Sequence, residues 1–357
     1  MARHIHPIQT AISILLLLLS MSATSCSNDT ADNNRNNSIY YWRTTFSLSD
    51  KEKQLIDRHD ITRMYMRFFD VNCPTKPVKG ETVVPEATIK FLDSVPDNIE
   101  VVPTVYITTP AMQSMQAKED DLAEKIVRRV NAICRKNNIR CKEIQLDCDW
   151  TGSTRRYFFR LCEAVKERLD STQTLSSTIH LHQLTQTPPP VDKGVLMVYN
   201  TGNLMEMTSS NSIFSQEDIR PYLRDDRLAR YRLPLDVAYP AYGWSVAYHP
   251  SSDGYRFFRL MRRTDFSSYR GLHQIGPNLY EASTTIDFSD GKDIDDKIYE
   301  NYRIKIERPS AEEILKVKQL IDRQLNGKPH SNIIYHLDDS QLSHYSDYEI
   351  SKIFTRN

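Results

Sequence analysis

The feature that most constrains the fold is an alternation of short β-branched and aromatic runs with amphipathic stretches, repeated along residues 39–357. Runs rich in Val, Ile, Tyr, Phe and Thr predict strands at 38–46, 62–71, 100–108, 142–150, 175–184, 195–200, 233–242 and 332–337. Between them, apolar residues at helical spacing predict helices at 51–58, 122–133, 153–169, 215–223, 311–325 and 347–354. A Pro-rich insertion after the second strand holds a small hairpin near 78–84. Residues 254–307 break the rhythm with aromatics and Gly turns and read as a β-rich excursion. Eight strands alternating with helices predict an α/β chain, a (β/α)8 TIM-type barrel with a β-rich insertion before the last helix and strand. A doubly wound open sheet is the alternative, but no GxGxxG or GxxxxGK[ST] follows any of these strands, so no nucleotide cofactor is expected.

Composition excludes several classes of function. Lys+Arg 46 balances Asp+Glu 46, which leaves no basic field to draw nucleic acid. With 39% hydrophobic and 26% charged residues, the bulk of the chain suits a globular body and not a polytopic membrane protein. Beyond Cys26 the cysteines are Cys73, Cys134, Cys141, Cys148 and Cys162, an odd number without a CxxC pair, which is neither a zinc ribbon nor a disulfide scaffold.

The first residues read as an address. Arg3 and His4 precede an apolar run at 11–19, and small residues then lead into Cys26, the layout of an export signal. The run is shorter than the roughly 20 apolar residues a membrane-spanning helix needs. Ala23-Thr24-Ser25-Cys26 resembles a bacterial lipobox, which implies cleavage before Cys26 and acylation of that cysteine. The expected organisation is a signal peptide at 1–25, an Asn- and Asp-rich tether at 26–38 and one barrel domain at 39–357, anchored by lipid at the bacterial cell envelope, with the outer membrane as the expected membrane.

In a (β/α)8 barrel the active face lies where the strands end. In Leu146-Asp147-Cys148-Asp149-Trp150 the period of two puts Asp147 and Asp149 on one face, toward the mouth, and Cys148 on the helix side. These are the candidate catalytic residues, because two neighbouring carboxylates repel and one of them is pushed to hold a proton. Their alternative role is a scaffold ion pair with Arg43, Arg67 or a histidine. Candidate ligand-binding residues near predicted strand ends are Tyr106, Trp150, His180, His182, Tyr199, Asn200, Tyr239, Trp244, His336 and Asp338. Aromatic faces stack on sugar rings and Asn hydrogen-bonds hydroxyls, so this mouth suits a glycan.

The segment 145–150 resembles the fourth-strand D-x-x-D-x-D-x-E motif of chitinase-type glycosidases. In that family the final Glu is the general acid, and the Asp before it orients the substrate N-acetyl group. Asp147 and Asp149 match the second and third acidic positions, whereas Ile144 and Thr151 stand at the first and last. The lipobox, the Tyr40-Tyr41-Trp42-Arg43 opening, the fourth-strand motif and Pro234-Leu235-Asp236-Val237-Ala238-Tyr239-Pro240 together resemble uncharacterised Bacteroides-type barrel lipoproteins. Three readings follow: a glycoside-hydrolase-like barrel that binds or hydrolyses glycans, a silent glycan- or protein-binding envelope lipoprotein, and a metal-dependent hydrolase using His180, His182, His336 and Asp338. Glu281 and Glu307 of the excursion are the alternative sources of an acid.

Overall fold

The computed structural model describes residues 37–355 apart from 77, 79, 209–210, 290–296 and 326, so the expected signal peptide, Cys26 and most of the tether lie outside the described residues. Eight parallel strands close into a barrel: β1 (Asn37–Tyr41), β2 (Ile61–Asn72), β3 (Glu100–Ile107), β4 (Glu143–Asp147), β5 (Thr174–His180), β6 (Lys193–Met197), β7 (Leu235–Pro240) and β8 (Asn332–Tyr335). Each pairs with its sequence neighbour, and β1 pairs with both β2 and β8, which closes the ring.

Helices cover the outside. They are α1 (Asp50–Arg58), α2 (Glu119–Lys136), α3 (Arg155–Lys166), α4 (Ala311–Gln324) and α5 (Asp347–Phe354), with shorter turns elsewhere. Local chemistry sets several starts: Ser49 with Glu52, Ser310 with Glu313 and Ser346 with Glu349 each form a reciprocal capping box. The predicted hairpin near 78–84 is a single bridge, Val78 to Glu81, followed by the strand Val84–Glu86, which pairs antiparallel with the end of β2.

The excursion is a five-stranded antiparallel sheet in the order Gly254–Met261, Trp244–Ser251, Arg303–Glu307, Leu279–Ala282, Leu272–Gly276. Its first strand, Trp244–Ser251, starts ahead of residue 254. Ala247, Met261, Phe266, Ala282, Phe288 and Ile304 give it a core of its own.

The barrel interior is layered. At its base Arg63 of β2 pairs with Glu143 of β4 and lies 3.3 Å from Glu100, while Lys193 of β6 lies 3.6 Å from Glu143 and 2.8 Å from Asp236. Alternating signs let each buried charge offset its neighbour's desolvation. Asp236 is thus a buried scaffold residue paired with Lys193. Above, the Tyr40 hydroxyl donates to Gln145 Oε1 at 2.8 Å, Thr104 donates to the same oxygen at 3.2 Å, and Tyr40 stacks on Tyr65.

Candidate functional site

Asp147 is the last residue of β4 and only 6% exposed. Thr178 of β5 donates to its Oδ1 at 2.7 Å. Burial pushes its carboxyl above the usual carboxylate range, opposed by the Thr178 bond and the nearby His180 and reinforced by Asp149 and Asp70. Asp149, two residues further on, is about half exposed, and His182 Nε2 sits 3.4 Å from its Oδ1. The rings of His180 and His182 are 5.8 Å apart, so the ends of β4 and β5 together carry two carboxylates and two imidazoles. The expected inward placement of Asp147 and outward placement of Cys148 are both seen; Cys148 is buried beside Cys162 of α3.

Thr151 is exposed: its Oγ1 is 2.9 Å from Ser153 Oγ, its N–H donates to Thr154 Oγ1 at 2.9 Å, and its carbonyl accepts from the Arg155 N–H at 2.8 Å. The chain after β4 thus presents a hydroxyl where the chitinase-type motif has its acid.

An aromatic wall lies alongside. Trp42, Tyr106 and Tyr335 are half-buried; the Trp42 ring is 6.4 Å from Tyr106 and 5.7 Å from Tyr335, and Arg67, paired with Asp70, lies over Trp42. Tyr335 contacts Tyr199 at 4.8 Å and Tyr242 at 5.5 Å, and the Tyr242 hydroxyl donates to Asn200 Oδ1 at 2.7 Å. Tyr106, His180, His182, Tyr199 and Asn200 thus lie at or just beyond the ends of β3, β5 and β6, with Tyr199 buried. Trp42, Arg67, Asp70 and Tyr335 are additions; Trp42 follows Tyr40 at the two-residue spacing that keeps a strand's side chains on one face, a signal the sequence does carry.

Several expected residues stand elsewhere. Trp150 is fully buried against Phe158 and Phe159 of α3, because it shares the outward parity of Cys148. Tyr239 is also fully buried and feels Asp322 of α4, since the inward parity of β7 belongs to Asp236 and Ala238. Neither lines the mouth. Trp244 reaches its edge, 5.6 Å from Tyr242, but its Nε1 donates to Glu307 Oε2 at 3.0 Å. Glu307 is itself buried against Lys305 and Ser212, and Glu281 accepts from Arg303 at 2.8 Å, so both acids serve the inserted sheet.

His336 is half-buried beside Tyr335 and Tyr242, and burial lowers its pKa below the usual histidine value. Asp338 caps the turn Asp339–Leu342 by accepting from the N–H groups of Ser340 and Gln341. Among the described residues no group of three or more His, Cys, Asp or Glu is placed to hold a metal ion, so His180, His182, His336 and Asp338 do not make one ligand cluster.

A raised carboxyl pKa has a sign that can be tested. Between the unperturbed value of 3.8 and the higher folded-state value, the folded protein binds more protons than the unfolded chain, so this group's contribution to stability falls as pH rises through that window. Asp147→Asn keeps an oxygen for Thr178 and removes the buried charge. The variant should melt higher than wild type at pH 7, and the gap should narrow toward pH 4. A lower melting temperature at pH 7 would mean that the ionised carboxylate is a needed partner.

The chain matches no protein-family model and no curated protein. Solved structures do resemble it. The GH18 chitinase of Cycas revoluta in complex with (GlcNAc)3 superposes with a TM-score of 0.50 at 12% identity, covering 89% of this chain and 98% of that one. The spore cortex-lytic enzyme SleL of Bacillus cereus gives 0.48 at 14% identity over 90% and 75%, and a GH18 chitinase of Flavobacterium johnsoniae 0.45 at 13% over 90% and 94%. At such identities the likeness is one of fold, and this chain is an α/β (β/α)8 TIM-type barrel similar in architecture to the Cycas chitinase.

Proposed function

We propose that this protein is a glycan-binding barrel that holds its ligand at the β4–β5 mouth without chitinase-type hydrolysis. The observation that carries the reading is Thr151, an exposed hydroxyl at the position of the motif's acid, beside an intact Asp147–Asp149 pair and the Trp42–Tyr106–Tyr335 wall. General acid catalysis needs a group that gives up a proton near neutral pH, and an aliphatic hydroxyl does not. Half-buried aromatic faces flanked by Asp149, His182 and Asn200 supply what a sugar requires: an apolar face to stack on and polar groups for its hydroxyls. The Cycas structure was solved with (GlcNAc)3, which makes N-acetylglucosamine oligomers the first ligands to try.

The purified body, applied to a glycan array, should retain a defined set of oligosaccharides, and Asp149→Asn should weaken that retention with little change in stability, because Asp149 is half exposed. A stability loss of about 3–5 kcal/mol would instead mark Asp149 as one side of a buried pair. No retention by wild type on any glycan would overturn the reading.

The proposal includes a place. Cys26, in its lipobox-like setting, is the expected point of acylation at the bacterial cell envelope, and the outer membrane is our proposed location. Cys26→Ala should abolish fatty-acid labelling and release the protein from the membrane fraction. Unchanged labelling and fractionation of the variant would refute lipidation at this residue.

A further inference from the structure

On the outside of the barrel, α2 and the strand Val84–Glu86 border a groove of about 460 Å³, within the range of about 300–1,000 Å³ typical of small-molecule sites. Its walls are apolar: Phe69 and Val71 from β2, Val84 and Pro85 from the insertion, Leu122 and Ile126 from α2. Its rim is cationic, with Lys125, Arg128 and Arg129 along one helix. Glu81, the acid among the lining residues, is already engaged by Lys125 at 2.8 Å. Arg129 donates to Thr88 at 2.7 Å and lies over the Phe69 ring, yet its Nε is buried without a hydrogen-bond partner. Arg128 is exposed, and neither arginine has a carboxylate partner among the described residues.

An apolar trough edged by two guanidiniums that have no carboxylate partner among the described residues complements one chemistry, a carboxylate head on a hydrocarbon tail. We infer that this groove is a binding site for a fatty acid, its tail against Phe69, Val71 and Leu122 and its carboxylate at Arg128 and Arg129. Arginine suits the head because its planar fork meets a carboxylate with two parallel bonds. A sugar does not fit these walls, which offer it few hydroxyl partners. The site is therefore separate from the glycan reading and stands or falls without it.

Dodecanoate, titrated calorimetrically below its micelle concentration into the purified protein, is the probe. Ala132 lines the groove from an exposed position of α2, so Ala132→Trp fills the trough without entering the core. It should weaken dodecanoate binding about tenfold or more and leave the melting temperature and glycan retention unchanged. Arg128→Glu, also at an exposed position, should weaken dodecanoate but not the neutral dodecanol. Absence of binding by wild type, or binding that survives Ala132→Trp, would overturn the site. Dodecanol bound as tightly as dodecanoate, with no effect of Arg128→Glu, would overturn the carboxylate assignment.

Discussion

Trp150→Ala is expected to destabilise the protein by about 3–5 kcal/mol, the usual cost of truncating a large buried aromatic side chain. The ring has no exposed surface, lies 5.3 Å from Phe159 and 6.5 Å from Phe158, and anchors the segment after β4 to α3. Its backbone oxygen accepts from Gln183 at 3.0 Å, and Gln183 also accepts from the His180 N–H, so the same segment ties the ends of β4 and β5 together. The indole Nε1 is buried without a hydrogen-bond partner, and removing that cost places the loss toward the lower end of the range. Chemical denaturation measures it directly. A change within about 0.5 kcal/mol, as for a surface substitution, would mean that the ring faces the mouth after all.

The expected loss at Trp150 also shows what was legible in the sequence and what was not. Alternating β-branched and amphipathic runs were enough to find all eight barrel strands, because a parallel barrel buries both faces of each strand and writes that into composition. Strand ends were less legible. The reading of 175–184 as one strand ran past His180 because Leu181 and Leu184 continue the apolar pattern, yet the chain there turns into a short 3-10 segment held by Gln183. That stop depends on Trp150, a residue distant in sequence.

At the site, Asp147 and Asp149 were legible through parity and motif, and the absence of a carboxyl at Thr151 needed no coordinates. Trp150 and Tyr239 lie near strand ends but on the outer face, Trp150 by the parity it shares with Cys148 and Tyr239 by alternation with the inward Asp236. Tyr335 closes β8 and Trp42 directly follows β1, positions that the strand pattern itself marks. The fate of Glu307 was not readable, since its partners Ser212 and Trp244 lie 95 and 63 residues away and meet it only through the tertiary fold.

The second large effect expected is the fate of a bound glycan. A chitinase-type barrel with its acid in place would shorten the ligand; one presenting Thr151 should release it whole. The loss of a positioned general acid removes about 10²–10⁴-fold in rate on its own, enough to separate a binder from an enzyme over a long incubation. Thr151→Glu, which restores a carboxyl at that position beside Asp149, is the natural companion, since any gain in turnover of an activated aryl glycoside over wild type would trace the deficit to this residue.

The most direct measurement is mass spectrometry of N-acetylglucosamine oligomers retained by the wild-type protein, before and after prolonged incubation at neutral pH. The account predicts retained oligomers of unchanged mass. Retained oligomers that become shorter would contradict it, and would require an acid other than the group at position 151.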